Sequence, residues 1–323
     1  MKVKKDNPHS TSNLINFFLN QKTLVVITGP TAVGKTALCV KIAQHFNTEI
    51  ISADSRQFYQ ELSIGTAKPS PQEMEGIPHH LINSHSITEN INASDFEKTA
   101  LDILTQLFKK HQIVILTGGS GLYIDALCDG FDENIPKANP SIRKELEEIY
   151  QKHGITILQE KLQQLDPVFY EEVDRSNVKR LQRAIEVCMT TNSTYSELRK
   201  GIKQERPFNI LKIGLERERE ELFTRINQRV DKMMQQGLLD EVKQVKKYRK
   251  HNALKTVGYT ELFNYLDKNI SLEDAIEKIK VNTRRYAKRQ LGWFHKDNDY
   301  NWFHPDDQKS IITFIENNLI LSS

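Results

Sequence analysis

The residues Gly29-Pro30-Thr31-Ala32-Val33-Gly34-Lys35-Thr36 are the most informative stretch of this chain, because they fit the phosphate-binding pattern G-x-x-x-x-G-K-[ST] without a mismatch. An apolar run at residues 24–27 precedes them, and apolar residues at helical spacing follow over residues 37–43. Strand, glycine turn and helix are the context that a P-loop requires. In such a loop, backbone amides and the helix N-terminus surround phosphate oxygens. Lys35 would neutralise the terminal phosphate, and the Thr36 hydroxyl would contact a phosphate-bound Mg²⁺.

The composition is that of a soluble globular protein, with 323 residues, 38% hydrophobic and 27% charged. The sequence contains no apolar run near the roughly 20 residues that span a bilayer. Its three cysteines are few and far apart, as is typical of reducing compartments. We therefore expect a cytoplasmic protein that does not bind membranes, with residues 1–20 forming a flexible leader.

Alternating strand and helix signals predict the core of the fold. Four apolar segments indicate buried strands, at residues 24–27, 49–53, 113–116 and 210–215. The first three alternate with helical segments, which favours a P-loop NTPase-like parallel sheet flanked by helices, of the α/β class. Ligands of such sheets bind beyond the carboxyl ends of the strands. The P-loop, Asp54 and residues 118–121 each follow a strand, so we expect them to share one cleft.

The strand signals lapse in the middle of the chain, which predicts a small all-helical insertion domain at residues 131–205. Pro136 and Pro140 mark its linker, and Ser141 is the expected N-cap of its first helix. Residues 21–130 and 206–323 would form the catalytic core. Within that core, residues 63–78 are too rich in glycine and proline for a long element and are expected to be loop.

Basic residues are distributed unevenly along the chain. The net charge is only +3, but residues 199–300 contain 24 Lys and Arg against 15 Asp and Glu. This excess favours a polyanionic partner, although a solvated helix face is the alternative. Phosphate contacts and base stacking require basic and aromatic residues together. Two predicted helices carry suitable clusters: Lys179, Arg180 and Arg183 in one, and Arg284, Arg285, Tyr286, Lys288, Arg289, Trp293 and Phe294 in the other.

Asp54 and three arginines are further candidates for the phosphate cleft. Asp54 either caps a helix or pairs with Lys35, or it serves as a carboxylate that accepts a proton from the second substrate. Arg219, Arg225 and Arg229 lie on a helix predicted to begin near residue 218. They either form surface ion pairs with neighbouring acids or grip a departing diphosphate.

From the first strand to about Trp293 the chain resembles tRNA dimethylallyltransferases of the bacterial type. The resemblance rests on seven motifs, of which nucleotide kinases share only the P-loop. The other motifs are Asp54-Ser55-Arg56-Gln57, Ile64-Gly65-Thr66-Ala67-Lys68-Pro69, Gly118-Gly119-Ser120-Gly121-Leu122-Tyr123, Arg180-Leu181-Gln182-Arg183-Ala184-Ile185-Glu186-Val187, Val257-Gly258-Tyr259 and Tyr286-Ala287-Lys288-Arg289-Gln290.

The resemblance implies the reaction and its participants. The family moves a dimethylallyl group from its diphosphate to N6 of the adenosine 3′-adjacent to the tRNA anticodon, with Mg²⁺ assisting and diphosphate leaving. The P-loop would then bind dimethylallyl diphosphate rather than ATP, through Thr31, Lys35 and Thr36. Asp54 would orient the adenine amine and take its proton, and Arg219 and Arg225 would help to hold the diphosphate. Thr36, Asp54 and Arg225 are thus the expected catalytic residues, with Thr36 the metal ligand.

The resemblance also implies where tRNA binds. The insertion domain would clamp the anticodon stem-loop of tRNA while the adenosine flips into the cleft of what we expect to be a monomer. The implied tRNA contacts are Asp54, Ser55, Arg56, Gln57, Ser120, Arg143, Lys179, Arg180, Leu181, Gln182 and Arg183.

Two other functions are compatible with parts of the sequence. An ATP-dependent small-molecule kinase needs only the P-loop, and it leaves both basic helices without a role. A tRNA-binding protein without catalytic activity is disfavoured by the presence of Thr36, Asp54 and Arg225.

Overall fold

A six-stranded parallel sheet forms the centre of the computed structural model, which describes residues 22–131, 134–199 and 203–320. The strands are β1 (Thr23–Thr28), β2 (Ile50–Ser52), β3 (His79–His80), β4 (Ile113–Gly118), β5 (Asn209–Leu215) and β6 (Asn301–Phe303). Their order is β3-β2-β4-β1-β5-β6. The predicted parallel α/β sheet is confirmed, whereas the predicted leader at residues 1–20 lies outside the described residues.

Helices cover the sheet and make up most of the remaining chain. Those preceding β5 are α1 (Lys35–Phe46), α2 (Pro71–Met74), α3 (Ala93–Leu107), α4 (Gly121–Asp129), α5 (Pro140–His153), α6 (Ile155–Leu165), α7 (Pro167–Glu172), α8 (Val178–Thr191) and α9 (Tyr195–Leu198). Those following β5 are α10 (Arg219–Gln235), α11 (Leu238–Gln244), α12 (Tyr259–Leu266), α13 (Leu272–Phe294) and α14 (Gln308–Ile320), with 3₁₀ turns at Lys246–Tyr248 and Asn252–Leu254.

β1 is the central strand and is buried on both faces, which explains its continuous apolar sequence. It pairs with β4 on one side and β5 on the other, so that Val25 lies opposite both Ile115 and Leu211. Separate core clusters fill the two faces of the sheet. Because the strands are parallel, the residues that follow β1, β2 and β4 emerge at one edge, and these residues include the P-loop and Asp54.

The structure corrects the sequence-based expectations at short elements. β3 and β6 were not predicted, since they are only two and three residues long. The expected loop at residues 63–78 contains α2, whose N-cap Ser70 forms a capping box with Glu73. The predicted N-cap Ser141 is wrong. Asn139 caps α5 instead, because its side chain accepts hydrogen bonds from the backbone of residues 141 and 142.

The chain divides into two compact units, with the second formed by residues 129–205 and the first by the rest. The predicted boundaries of the insertion were 131 and 205. The second unit has its own core, in which Leu146, Leu158, Phe169 and Leu181 pack together. In the described residues, no helix is both long enough and apolar enough to cross a membrane.

Candidate active site

A cleft of about 1270 Å³ opens at the carboxyl edge of the sheet in the first unit. The P-loop forms its floor, and the loop at residues 63–69 with the start of α2 forms one wall. The other walls are a face of α10 and two residues of α13, Tyr286 and Gln290. Eight of the predicted site residues line this cleft, and the candidate Arg229 does so too; the eight are Thr31, Ala32, Gly34, Lys35, Thr36, Asp54, Gln57 and Arg225.

The P-loop has the backbone that its glycines permit. Gly29 and Gly34 have φ angles of 146° and 119°, which other residues rarely adopt. A Cβ atom on Gly29 would lie 2.6 Å from the carbonyl oxygen of Leu215. The Lys35 ammonium donates to the carbonyl oxygens of Gly29 and Pro30, each at 2.8 Å. These contacts fold the lysine over the loop, where its charge faces the cleft.

Two arginines of α10 reach the P-loop directly. Nη1 of Arg229 donates to Oγ1 of Thr31 at 3.1 Å, and Nε of Arg225 donates to the carbonyl oxygen of Ala32 at 2.9 Å. Burial lowers the pKa of Lys35 to about 8; the charge of Arg229 also lowers it, and Asp54 opposes the shift. Three cationic groups therefore converge on one loop, as an anion-binding site requires.

Arg219 is placed differently from the other two arginines. Its side chain is exposed at the start of α10, and its Cζ lies 5.2 Å from the centre of the Phe223 ring. The residues that line the cleft include Arg225 and Arg229 and do not include Arg219. The structure therefore does not bring Arg219 to the cleft with the rest of the predicted diphosphate site.

Asp54 lies in a tight turn, two residues after the end of β2. Its Oδ1 accepts a hydrogen bond from the backbone amide of Arg56 at 3.0 Å, the local contact expected of an Asp at the start of a turn. The turn places Asp54 in the lining of the cleft, where the negative charge of its carboxylate acts on Lys35 and Arg229 and favours their charged forms. Asp54 is therefore a carboxylate within a cationic cleft.

The loops that follow β2 and β4 are joined through two serines. Oγ of Ser120 accepts from the backbone amide of Ser55 at 3.0 Å and donates to the Ser55 hydroxyl at 3.1 Å. Arg56 extends from the same turn and donates to the carbonyl oxygen of Asn252. The structure thus brings the predicted contacts at residues 54–57 and Ser120 together.

Comparison with known proteins identifies the family. The family model described as IPP transferase matches residues 57–297. A relative named tRNA dimethylallyltransferase 1, from Bacteroides thetaiotaomicron, is 48% identical over 293 residues, which are 91% of this chain and 95% of the relative. A tRNA dimethylallyltransferase of Flavobacterium johnsoniae is 47% identical over 305 residues, covering 92% and 98% of the two chains. The chain belongs to the IPP transferase family.

Solved structures agree with this assignment. A tRNA isopentenylpyrophosphate transferase from Bacillus halodurans superposes with a TM-score of 0.71 at 37% identity, covering 93% of this chain and 98% of the other. A eukaryotic dimethylallyltransferase, described as acting on tRNA, also gives a TM-score of 0.71, at 30% identity, with coverages of 84% and 69%. The family predicted from the sequence motifs is confirmed, and with it the prediction of a transferase that modifies tRNA.

Three residues that support the site of this IPP transferase were not singled out by sequence reasoning. Nε of Arg217 donates to the carbonyl oxygen of Val33 in the P-loop at 2.8 Å. The carboxylate of Glu241 accepts from three successive backbone amides, at residues 63–65, and from the Tyr259 hydroxyl. Gln290 contacts the P-loop through Thr31. Gln290 belongs to the sequence motif at residues 286–290, which could have identified it. Arg217 and Glu241 belong to none of the motifs, so the sequence offered no signal for them.

The basic residues of the second unit are organised by a buried acid. Glu186, with a side chain 1% exposed, accepts hydrogen bonds from Nε of Arg143 at 3.0 Å and Nη1 of Arg183 at 2.9 Å. Lys179 is 80% exposed and pairs with Glu147. Arg180 is also exposed.

Leu181 and Gln182 were predicted to contact tRNA, but the structure places both side chains away from the surface. The side chain of Leu181 is completely buried in the core of the second unit, and Gln182 is 6% exposed. Gln182 donates to Glu147 from that position. Because neither side chain reaches the surface, we restrict the predicted RNA-facing residues of α8 to Lys179, Arg180 and Arg183.

Proposed function

We propose that this chain transfers the dimethylallyl group of dimethylallyl diphosphate to N6 of the adenosine 3′-adjacent to the anticodon of tRNA, acting as a cytoplasmic monomer. One observation carries the proposal. In a member of the IPP transferase family, Lys35, Arg225 and Arg229 converge on a P-loop in the same cleft as the Asp54 carboxylate. An anionic leaving group and a nucleophile that must lose a proton need these two kinds of group side by side.

The cationic side of the cleft suits the diphosphate. An allylic carbon ionises readily once the charge of its leaving group is neutralised, so the largest catalytic requirement is stabilisation of the departing oxygens. Lys35 and Arg225 are positioned by hydrogen bonds to P-loop carbonyl oxygens, and Arg229 by its bond to the Thr31 hydroxyl. The site is therefore preorganised for an anion.

Mg²⁺ fits the oxygen donors of this cleft. The ion is commonly held by one or two protein oxygens together with substrate phosphates, and the Thr36 hydroxyl lines the cleft directly after Lys35. Thr36 would be its ligand from the protein. When bound, the ion would add to the neutralisation of the diphosphate charge.

Asp54 is placed to complete the reaction on the acceptor side. The N6 lone pair forms the new bond to the allylic carbon while the bond from that carbon to diphosphate breaks. The amine becomes acidic as its bond forms, and its proton passes to the Asp54 carboxylate. Oδ1 of Asp54 is held by the Arg56 amide, which fixes the direction of the group.

The second unit provides basic residues for the tRNA backbone. Arg143, Lys179, Arg180 and Arg183 carry positive charge on α5 and α8, as contacts with phosphates require. Reaching N6 requires that the adenosine leave the stacked anticodon loop, as enzymes acting on bases generally require.

Incubation of the purified protein and Mg²⁺ with labelled dimethylallyl diphosphate and unmodified tRNA tests the proposal. We expect the label to enter tRNA at the adenosine beside the anticodon, and the Asp54→Asn variant to transfer it far more slowly. A parallel reaction contains γ-labelled ATP and no tRNA. Consumption of ATP with no labelling of tRNA would show that the P-loop serves a kinase.

A further inference from the structure

Gln290 bridges two loops that are far apart in sequence. Its Oε1 accepts a hydrogen bond from the backbone amide of Thr31 in the P-loop, and its Nε2 donates to the carbonyl oxygen of Gly119 after β4, each at 2.8 Å. The side chain is 6% exposed and lies in the wall of the cleft. A single carboxamide thus joins the predicted diphosphate loop to the loop of Ser120, a predicted tRNA contact.

The surrounding residues leave room for little else at this position. A Cβ atom on Gly119 would lie 2.1 Å from Nε2 of Gln290. Tyr286 and Trp293 share the helix face of Gln290, at spacings of four and three residues. Tyr286 lines the cleft, and the Trp293 ring packs against Gly121. The Trp293 contact and the Gly119 bond hold this face of α13 along the loop that follows β4.

We propose that Gln290 is a positioning residue that fixes the P-loop relative to the loop after β4 and so orients Thr31 for the diphosphate. The inference rests on the proposed function. Because Gln290 occupies the Thr31 amide, that part of the loop is set before a ligand arrives, and no rearrangement is needed during the reaction. A carboxamide can accept at one atom and donate at the other at any ordinary pH, which a carboxylate or thioether cannot do.

The Gln290→Glu variant tests this role through its pH profile. An ionised carboxylate still accepts from the Thr31 amide, but it places an acceptor against the Gly119 oxygen. We expect kcat to fall about 10- to 100-fold at pH 8, as when a buried polar group loses its partner. Burial raises the pKa of a carboxyl group, and its acid form can donate to Gly119. We therefore expect activity relative to wild type to recover as the pH is lowered to 6.

The Gln290→Met variant is the matched control, because it keeps a similar volume without either hydrogen bond. We expect its kcat to be low at both pH values, with the KM for tRNA within about twofold of wild type. If lowering the pH restores the kcat of Gln290→Glu but not that of Gln290→Met, the lost activity is caused by the lost hydrogen bonds. The positioning role would be wrong if both variants had the wild-type kcat. It would also be wrong if both lost the same fraction of kcat at pH 6 and at pH 8.

Binding of inorganic pyrophosphate separates this inference from the proposed function. We expect the Kd of pyrophosphate to rise about tenfold in Gln290→Met, measured by calorimetry at pH 7. If wild-type protein binds pyrophosphate but transfers no label to tRNA, the proposed function fails while the positioning role stands. If Gln290→Met and wild type bind pyrophosphate equally, the positioning role is wrong whatever the transfer assay shows.

Discussion

Nη1 of Arg229 donates a hydrogen bond to Oγ1 of Thr31 across 3.1 Å, so a helix from the C-terminal part of the chain holds a side chain of the P-loop. Arg225, one turn earlier, holds the Ala32 carbonyl oxygen of the same loop. The arginines thereby determine both the geometry of the loop and its charge. One consequence is that the charge of Arg229 adds to the effect of burial in lowering the pKa of Lys35.

The pH dependence of anion binding should report on Lys35. Burial, with a contribution from Arg229, lowers the pKa of Lys35 to about 8 from 10.5. Below that pH the Lys35 ammonium is charged and can bind an anion. Above it the amine is neutral in the free protein and must take up a proton when an anion binds. We expect pyrophosphate affinity to fall as the pH rises from 7 to 9, measured by calorimetry.

Two variants assign this pH dependence to its source. Lys35→Arg keeps a positive charge over the whole range and should not show the fall. Arg229→Gln removes the neighbouring cation, so the pKa of Lys35 should rise and the fall should move to higher pH. A midpoint that is unchanged in Arg229→Gln would contradict the coupling.

Asp54→Asn should reduce the rate of transfer without loosening the site. The Asn side-chain oxygen can still accept from the Arg56 amide, so the turn after β2 is preserved. Without a proton acceptor we expect kcat to fall by about 10²- to 10⁴-fold, the usual range for loss of a general base. The Kd for tRNA should change less than threefold. Near-normal single-turnover rates in this variant would remove Asp54 from the chemical step.

Tyr286 should stabilise the adenine base by stacking. It is the aromatic residue in the cleft lining, and its side chain is 38% exposed. Stacking of a base on an aromatic ring contributes about 1–3 kcal/mol. We expect Tyr286→Leu to raise the KM for tRNA by about 5- to 100-fold, with Tyr286→Phe close to wild type. An equal effect of both substitutions would indicate that the hydroxyl matters rather than the ring.

The residues that sequence reasoning found are those whose signals are local. The P-loop joins a buried strand to the helix that begins with Lys35 and Thr36, and Asp54 lies two residues after another buried strand. A few neighbouring residues therefore identify each. β1 and β4 were predictable for the same reason, because each contains a continuous apolar run, at residues 24–27 and 113–116.

The supporting residues of the site could not be predicted in this way, since their partners are distant in sequence. Arg217 contacts a P-loop residue 184 positions away, and the Gln290 partners are 259 and 171 positions away. In the sequence, Glu241 cannot be distinguished from the many acidic residues that lie on the surface. Its role in holding the loop at residues 63–65 depends on where α11 packs.

Substitutions of Arg183 and Lys179 should distinguish an effect on tRNA binding from an effect on the stability of the second unit. Arg183 pairs with the buried Glu186, whereas Lys179 is 80% exposed and pairs with the surface residue Glu147. Arg183→Ala leaves Glu186 with one guanidinium, from Arg143, so we expect a loss of about 1–3 kcal/mol in the free energy of unfolding. Lys179→Ala should lose less than about 0.5 kcal/mol, as an exposed pair does.

Both variants should bind tRNA more weakly, and the salt dependence of the affinity should distinguish direct phosphate contacts from indirect effects. Each lost phosphate contact lowers the slope of log K against log salt concentration by about 0.7–0.9. We expect this decrease for Lys179→Ala at unchanged thermal stability, and for Arg183→Ala together with a lower Tm. A wild-type salt slope in Arg183→Ala with a lower Tm would mean that its guanidinium makes only structural contacts, with Glu186 and the Pro136 carbonyl oxygen. The basic surface of α8 would then consist of Lys179 and Arg180.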